Sequence, residues 1–408
     1  MDPDLITLDH INAAAERLGP VIRETPMIAS RVLSERTGQQ AWLKCENLQR
    51  TGSFKPRGAY NRIANLTDEQ RARGVVAASA GNHAQGVAWA ATELGTDSTV
   101  FMPVNVALPK LVATKAYGAQ IHLVGATIAE ALDAAGEFAE QHGAVLIHPF
   151  DHADIVAGQA TVGLEILKQI PDVETILVPT GGGGLIAGIA AAMHYLAPQV
   201  QVIGVQAEGA AAWPASLTAG RPTRAPSMST MADGIAVPMP GAVPFSQVRA
   251  FVDSIRTVSE EALSRALLLC LERAKLIVEP AGAAAVAALL TSAADLDLRG
   301  PVCAVLSGGN IDPLVLTHVI NHGLRAAGRY LAVKVVIPDR PGGLSRLLGV
   351  VSESGASVLD VVHLRTAPKL ALDEVEVMLT VETRGRDHRD EVLAALAEGG
   401  FVVTVENG

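Results

Sequence analysis

The chain is poor in aromatic residues and cysteines, and it has no excess of positive charge. Aromatic residues make up 3% of its 408 residues, and the formal net charge is −10. This negative balance argues against nucleic acid or an anionic membrane surface as the main partner. Cys45, Cys270 and Cys303 stand alone without CxxC spacing. They therefore indicate neither a disulfide framework nor a zinc site, and they fit a reducing cytoplasm.

Long apolar runs and an export signal are also missing. One of the most apolar stretches, residues 185–193, is far shorter than the ~20 residues that a membrane span needs. The chain begins with MDPD at 1–4, which is acidic where a signal peptide would be basic. We therefore predict a cytoplasmic protein with no membrane partner.

Apolar residues, by contrast, are abundant. They account for 49% of the chain and charged residues for 18%, which provides for large buried cores and shows no sign of global disorder. A chain of this length predicts two or three domains.

Short apolar segments alternate with helical patterns over the first three quarters of the chain. This alternation on short connections predicts parallel sheets built from βαβ units. The stretch 207–244 is rich in proline and serine, and we predict a loop region there. The predicted strands cover 75–78, 98–103, 119–124, 175–179, 200–206 and 302–306. The predicted helices cover 8–18, 84–94, 108–117, 127–142, 185–196, 259–275 and 280–291.

The pattern changes beyond about Arg329. The predicted order there is strand, helix, strand, strand, helix, strand, which is a ferredoxin-like βαββαβ unit. These elements are predicted at 331–337, 342–355, 357–365, 371–383, 387–398 and 401–406.

The segment TGSFKPRGA at 51–59 places Lys55 between an aromatic residue and a proline, in what we predict to be a turn. A lysine that forms a Schiff base must have its amine held in one position and partly desolvated. Lys55 is therefore the candidate nucleophile, although a lone lysine in a turn is more often a solvated charge.

Four consecutive glycines, GGGG at 181–184, lie between a predicted strand and a predicted helix. Glycines let successive N–H groups converge on an anion, and the helix N-terminus adds a favourable dipole. A flexible loop is one alternative. A dinucleotide site is another, with Glu208 near the place of a ribose-binding acid, but the G-x-G-x-x-G spacing is matched only loosely. We predict a phosphate cradle.

Two other junctions carry small and polar residues. SAGNH at 79–83 opens a helix, and its free N–H groups suit a substrate carboxylate. Asn82 could hold a hydroxyl or an oxyanion, while His83 is more often structural at such a position. SGGN at 307–310 follows a buried strand. Because open α/β sheets bind ligands at the carboxyl ends of their strands, these junctions and the glycine loop are predicted to line one cleft.

Two further segments are less specific. Glu279 stands among apolar residues at a helix start, where a simple helix-end charge would explain it. HPFDH at 148–152 suggests metal ligands, but Pro149 and the lack of helical spacing favour a loop. We predict no metal site.

With these motifs in view, the chain resembles the threonine dehydratases (threonine ammonia-lyases), which are pyridoxal-phosphate enzymes of fold type II. The C-terminal unit resembles an ACT domain, with PDRPG at 338–342 in its first turn. Its single copy is similar to the medium-length form of these enzymes. The matching catalytic motifs are SFKPRGA at 53–59, SAGNHAQG at 79–86, GGGG at 181–184, VEPAGA at 278–283 and SGGN at 307–310.

The resemblance implies a fold in which two parallel-sheet α/β subdomains hold the cofactor in the cleft between them. The catalytic domain would cover 1–325, and the ACT domain would cover 330–408. Within the catalytic domain, the small subdomain would span about 51–154, and the large one 1–50 and 155–325.

The resemblance also implies roles for residues. Lys55 would carry pyridoxal 5'-phosphate as a Schiff base and remove the substrate Cα proton, Asn82 would hold the phenolic oxygen, and Ser307 would face the pyridine nitrogen. The residues that would bind the cofactor are Phe54, Lys55, Asn82, Gly181, Gly182, Gly183, Gly184, Leu185 and Ser307. Those that would bind the substrate are Ser79, Ala80, Gly81, Asn82 and His83, with Glu279 in support.

The implied reaction converts L-threonine to 2-oxobutanoate and ammonia, and L-serine to pyruvate. Serine racemases of the group carry serine where Ala80 stands, which disfavours racemase activity. Some relatives place a metal carboxylate where Pro214 stands, which disfavours a magnesium or calcium site. The family further implies a homotetramer, regulated by isoleucine or valine through the ACT domain.

Several alternatives remain open at this point. A dehydratase for another β-hydroxy amino acid, or a hydroxyectoine-utilisation enzyme, would share nearly every motif. An NAD-dependent oxidoreductase would explain the glycine loop but would leave Lys55 without a role. A non-catalytic amino-acid sensor would use mainly the ACT unit, around 342–344 and 357–360.

Overall fold

The computed structural model describes residues 5–291, 293–365 and 370–406 of the chain. The N-terminal tetrapeptide 1–4, part of the argument against a signal peptide, lies outside these residues. The chain divides into two compact units, Met1–Asp312 and Pro313–Gly408. The division falls ahead of the predicted boundary near residue 325, because the helix that begins at Pro313 groups with the second unit.

The first unit contains two sheets. One has six strands in the order β1-β2-β10-β7-β8-β9, and the other has four in the order β5-β4-β3-β6. Every neighbouring pair is parallel except β1 with β2. The predicted α/β class is confirmed. The strands are β1 Met27–Ala29, β2 Ala41–Lys44, β3 Val75–Ala78, β4 Ser98–Met102, β5 Gln120–Leu123, β6 Val145–Leu146, β7 Thr175–Pro179, β8 Gln201–Ala207, β9 Ser254–Val258 and β10 Val302–Val305.

Helices cover the sheets of the first unit. Strands β7, β8 and β10 are buried along their whole length, as expected for a parallel sheet covered on both faces. The helices are α1 Leu8–Leu18, α2 Arg31–Thr37, α3 Lys55–Ala64, α4 Asp68–Ala72, α5 Asn82–Glu93, α6 Leu108–Ala116, α7 Ile128–His142, α8 Ala153–Gln169, α9 Gly184–Leu196, α10 Trp213–Ala219, α11 Ala242–Phe251, α12 Glu260–Leu269 and α13 Ala284–Thr291.

The structure corrects two of the sequence-based expectations. Lys55 does not lie in a turn but is the first residue of α3, with Pro56 in the opening turn of the helix. Proline favours that position because the N–H it lacks would have no helical partner there. The stretch 207–244 is not only loop, because α10 begins at Trp213 and is stopped by Gly220, which has a φ of 67°.

The second unit is an antiparallel sheet in the order β12-β13-β11-β14, packed against helices. Buried and half-buried residues alternate along β11 and β13, so one face of the sheet lies on the core. The predicted ferredoxin-like unit is confirmed. Helix α14 Pro313–Ala326 precedes it. Its own elements are β11 Tyr330–Pro338, α15 Gly343–Glu353, β12 Ser357–Leu364, β13 Glu374–Glu382, α16 Arg386–Glu398 and β14 Val402–Val405.

Among the described helices, none combines the length and the hydropathy that crossing a membrane would require.

Candidate active site

The loop after β10 is hydrogen-bonded to the segment that carries Lys55. The backbone N–H of Phe54 donates to the carbonyl of Ser307 at 3.2 Å, and the N–H of Gly309 donates to the carbonyl of Gly52 at 2.9 Å. From the other sheet, Gly86 in α5 approaches so closely that a Cβ there would lie 3.2 Å from Lys55. The structure therefore brings these sequence motifs together around one lysine.

Lys55 keeps its amine apart from carboxylates. Its Nζ donates to the carbonyl of Pro149 at 3.0 Å and lies 5.1 Å from the centre of the Phe54 ring. Burial disfavours the ammonium form and lowers the pKa of Lys55 to about 8, although the charge of Glu279 opposes the shift. A useful fraction of the amine is therefore neutral, and nucleophilic, near neutral pH.

Asn82 is held at both ends of its amide. Its Nδ2 donates to Glu279 Oε1 at 2.6 Å, and its Oδ1 accepts from Asn310 Nδ2 at 2.8 Å. Burial raises the pKa of Glu279 to about 7, and Asp233 adds to the rise, while the bond from Asn82 and the charges of two lysines oppose it. Sequence reasoning named Asn82 and Glu279 separately, but it did not predict that they touch.

The glycine loop is shaped by two aromatic rings that the sequence did not single out. A Cβ at Gly182 would overlap the ring of Phe150, and one at Gly183, where φ is +100°, would overlap Trp213. Trp213 Nε1 also donates to the carbonyl of Gly181 at 2.7 Å. Only glycine fits at 182 and 183, so the loop is a tightly packed backbone cradle at the start of α9 and not a flexible linker.

The junction 79–83 supplies backbone donors. Helix α5 has no side-chain cap at its N-terminus, which leaves N–H groups of its first turn without helical partners. Gly81 N–H is already used, since it donates to Ser79 Oγ at 3.1 Å. A plain N-cap, the simpler explanation of this motif, is therefore not what the structure contains.

The side chain of His83 is engaged by the protein backbone and does not serve as a ligand-binding group. Its Nε2 lies 2.7 Å from the carbonyl of Ile147, to which it must donate. Burial, together with the charge of Lys55, lowers the pKa of His83 to about 3, so the ring stays neutral. Only the backbone N–H of His83 is left for the predicted contact with the substrate.

Two hydroxyls beside the lysine have no partner among the described residues. Ser53 Oγ and Thr51 Oγ1 are buried without a hydrogen bond, although buried hydroxyls nearly always have one. Ser307 and Leu185, both predicted to bind the cofactor, are each 4% exposed. A polar ligand would satisfy such a site.

A cluster of buried charges lies behind the lysine, and we name it the charge cluster: Lys44, Glu46, Arg57 and Glu165. Arg57 binds both oxygens of Glu46 at 2.8 Å and both oxygens of Glu165 at 2.7 and 2.9 Å. Lys44 Nζ donates to Glu165 at 2.6 Å. Burial alone would lower the pKa of Arg57, but the two carboxylates outweigh it and raise that pKa above its usual range.

Sequence reasoning missed the charge cluster. Arg57 belongs to the same motif as Lys55, but its partners lie 11 and 108 residues away, and nothing in the spacing connects them. His148, in the segment considered as a metal site, instead accepts backbone N–H groups from Phe150 and Asp151. No group of metal-binding side chains was found among the described residues.

Comparison with known proteins agrees with this geometry. The family model described as pyridoxal-phosphate dependent enzyme matches residues 18–308, and the ACT domain model matches residues 332–398. The L-threonine ammonia-lyase of Thermotoga maritima is 46% identical over 98% of this chain and 100% of its own length.

Solved structures are similar over about three quarters of the chain. A threonine deaminase from T.th. has a TM-score of 0.71 and 41% identity, and the match covers 75% of this chain and 99% of that one. Maize serine racemase has a TM-score of 0.74 and 35% identity, over 78% of this chain and 98% of that one.

Proposed function

The chain belongs to the family of pyridoxal-phosphate dependent enzymes and carries a C-terminal ACT domain, and from this premise we propose that it deaminates L-threonine to 2-oxobutanoate and ammonia. The family predicted from the motifs is thereby confirmed, and so is the cofactor. The assignment of the substrate is supported by 46% identity to an L-threonine ammonia-lyase over nearly the whole chain. The observation that carries the chemistry is the Lys55 amine, which lies in the cleft without a carboxylate partner among the described residues.

The residues present fit the cofactor. Gly181 to Leu185, at the N-terminus of α9, would form a backbone cradle for its phosphate. Lys55 would bind it covalently, Phe54 would flank it, and Asn82 and Ser307 would contact its ring. When bound, pyridoxal phosphate draws electrons from the substrate Cα and makes the Cα–H bond acidic.

The side chains then divide the work. The N–H groups of Ser79 and Gly81 already donate within the protein, so the remaining N–H groups of residues 79–83 would bind and orient the substrate carboxylate. Lys55 Nζ, as a neutral amine, accepts the Cα proton, and such a positioned base contributes roughly 10²–10⁴-fold. The β-hydroxyl leaves as water, balanced by the proton taken from Cα, and the resulting enamine is hydrolysed by water to 2-oxobutanoate and ammonia.

Elimination, and not racemisation, is the reaction that residue 80 favours. Racemisation needs a second proton donor on the opposite face of the substrate. Ala80 has no proton to give, and the identity to maize serine racemase is lower than that to the ammonia-lyase. L-serine would react as L-threonine does and give pyruvate.

The test is ketoacid formation by the purified, cofactor-loaded protein with L-threonine, L-serine, threo-3-hydroxyaspartate and hydroxyectoine. We expect the highest kcat/KM for L-threonine, with 2-oxobutanoate as the product. A higher kcat/KM for another member of the panel would replace the substrate while keeping the cofactor and Lys55. Borohydride reduction followed by peptide mass spectrometry would locate the cofactor, and a label on any lysine other than Lys55 would refute its role.

The ACT domain, in our proposal, binds isoleucine or valine and adjusts the activity of the catalytic unit. A pocket of about 550 Å³ opens at the start of α15. Arg340, Arg365 and His363 line it with positive or ionisable groups, and Ile337 and Leu344 supply apolar surface. Asp339 lines it as well and is ion-paired with Arg365 at 3.3 Å. A carboxylate next to an apolar side chain, as in a branched-chain amino acid, matches this lining.

This regulation can be tested on the full chain. Isothermal titration with isoleucine and valine, and threonine kinetics with each present, should show saturable binding and a change in KM or kcat. Arg365→Ala should weaken binding about tenfold, while Arg389→Ala, at a partly exposed arginine in the same unit, should not. Identical kinetics with and without both amino acids would refute the regulatory role.

We further propose that the chain assembles into a homotetramer in the cytoplasm. Val358, Leu359 and Val362 on β12, an edge strand, are 43%, 53% and 38% exposed, and apolar surface on a sheet edge favours contact with another subunit. Light scattering should give four times the subunit mass. A monomer at micromolar concentration would refute the assembly.

A further inference from the structure

A directed chain of hydrogen bonds runs through the candidate site. Asn310 Nδ2 donates to the backbone carbonyl of Thr51 at 2.6 Å and to Asn82 Oδ1 at 2.8 Å, with a longer contact of 3.5 Å to Gln85 Oε1. Asn82 Nδ2 then donates to Glu279 Oε1 at 2.6 Å. The chain joins residues that lie 197 to 259 positions apart in the sequence.

The direction of this chain is set at one end by the backbone. A side-chain amide can turn over and exchange its oxygen with its nitrogen, and its neighbours decide which orientation is stable. The carbonyl of Thr51 can only accept, so Asn310 must face it with Nδ2. The same Nδ2 also donates to Asn82, which must accept with Oδ1. The Nδ2 of Asn82 therefore faces Glu279.

Burial and close packing stabilise the donor-to-acceptor direction of this hydrogen-bond chain. Glu279 is 5% exposed, Thr51 7% and Gln85 4%, so an unmatched donor or acceptor there would lack water to replace its partner. The backbone packs closely at both ends. A Cβ on Gly52 would overlap the amide of Asn310, and a Cβ on Gly308 would overlap the carboxyl of Glu279.

Asn82 Nδ2 carries two hydrogens, and Glu279 takes one. We propose that Asn310 and Glu279 are positioning residues that hold the Asn82 amide in one orientation, so that Asn82 can act on a bound ligand only as a hydrogen-bond donor. This inference rests on the proposed function, because the ligand in question is the phenolic oxygen of the cofactor. It explains why an uncharged asparagine can reliably donate a hydrogen bond to an anionic oxygen, because the amide oxygen of Asn82 already accepts from Asn310.

The test compares two ligands in four variants. The dissociation constant of pyridoxal 5'-phosphate is measured by fluorescence, together with that of its 3-deoxy analogue, which lacks the phenolic oxygen. The ratio is the dissociation constant of the analogue divided by that of pyridoxal 5'-phosphate, and it includes an intrinsic effect of the missing oxygen that is common to all variants. Changes in the ratio between variants therefore report the donor that the protein supplies.

Asn310→Asp keeps the shape of the side chain but replaces the donor by an acceptor, and Glu279→Leu removes the acceptor for Asn82. We expect each to lower the ratio about tenfold relative to wild type. Glu279→Gln retains an acceptor oxygen and should stay within threefold. Asn61→Leu is the matched control, because Asn61 in α3 is buried and makes two side-chain hydrogen bonds but does not belong to the hydrogen-bond chain of Asn310, Asn82 and Glu279. It should also keep the ratio.

A wild-type ratio in Asn310→Asp or in Glu279→Leu would overturn the inference, and so would an equal fall in Asn61→Leu, which would indicate general loosening. If Asn310→Asp does not fold, as judged by circular dichroism, the two Glu279 variants decide alone. Failure of the wild type to bind pyridoxal phosphate at all would be a different result, and it would refute the proposed function together with this inference.

Discussion

Lys55 and Arg57 lie two residues apart at the start of α3, but the surrounding residues act on their charges in opposite ways. Arg57 is 1% exposed and is surrounded by the carboxylates of Glu46 and Glu165. Lys55, half-buried at the cleft, donates instead to the carbonyl of Pro149. The charge of Arg57 is therefore neutralised by its partners. Lys55 has no such partner in the described part of the chain, so burial favours the loss of its proton.

The difference shows how one turn of helix serves both stability and chemistry. The charge cluster holds two positive and two negative side chains, so it is neutral as a whole and fastens α3 to β2 and α8. A rigid support keeps the Lys55 amine in one place. An amine paired in the same way would hold its proton and could not act as a nucleophile.

The largest effect is expected from removing the free amine. Lys55→Ala should lower kcat for L-threonine by at least 10³-fold, because it removes both the proton acceptor and the covalent attachment of the cofactor. Steady-state assay of 2-oxobutanoate measures this, with circular dichroism to verify folding. Activity within tenfold of wild type would mean that Lys55 is not the catalytic lysine.

Removing the paired cation should act on stability. Arg57→Met leaves the buried carboxylate of Glu46 without its partner, and breaking such a pair typically costs about 3–5 kcal/mol. Urea unfolding measures the loss. The double variant Arg57→Met/Glu46→Gln should recover part of it, since the uncompensated charge is then gone. A loss below about 1 kcal/mol in the single variant would show that the charge cluster does not support the helix.

The unpaired lysine should itself be a source of instability. Its pKa falls from 10.5 to about 8 on folding, so the cofactor-free protein resists protonating it, and Lys55→Met should be more stable by about 2–3 kcal/mol at pH 7. Between pH 8 and 10.5 the unfolded chain binds more protons than the folded one. Wild-type stability therefore rises with pH in this window, and the advantage of the variant should shrink towards about pH 10. A constant advantage across this range would contradict the shifted pKa.

The smallest effect concerns pH and the rate of cofactor uptake. Only the neutral amine reacts, so incorporation of pyridoxal phosphate into the cofactor-free protein should rise about tenfold per pH unit below about 8 and level off above it. Glu279→Gln removes a charge that raises the pKa of Lys55, and it should move the profile to lower pH. Stopped-flow absorbance measures this. A pH profile that is the same in Glu279→Gln as in wild type would show that the charge of Glu279 does not affect the pKa of Lys55.

Local patterns in the sequence were sufficient for six strands of the first unit and for the junctions that follow them, but β1, β2, β6 and β9 were not predicted. Strand β3 at Val75–Ala78 and strand β7 at Thr175–Pro179 have the predicted bounds, because short apolar runs between turn residues are local signals. Helix α10 was missed because the proline and serine content of 207–244 indicated a loop, although proline, here Pro214, is common in the first turn of a helix. Helix α8 fell between the predicted elements and was not anticipated.

The contacts that give the site its chemistry were beyond local reasoning. Asn82 meets Glu279 and Arg57 meets Glu165 across separations of 197 and 108 residues. Hydrogen-bond direction and burial depend on which groups the fold brings together, and neither is written in the spacing of a motif. The lowered pKa of Lys55 has the same origin, since it follows from desolvation that only packing produces.

The sequence by itself determined the α/β and βαββαβ patterns, the glycine loop, the candidate lysine and the family, because each depends on residue types at short spacing. Only the tertiary structure decided that Arg57 is paired while Lys55 is not, and that the amide of Asn82 faces Glu279 with its nitrogen. The physical reason is that charge and hydrogen-bond polarity are settled by neighbours in space, and for these three side chains those neighbours come from distant parts of the chain.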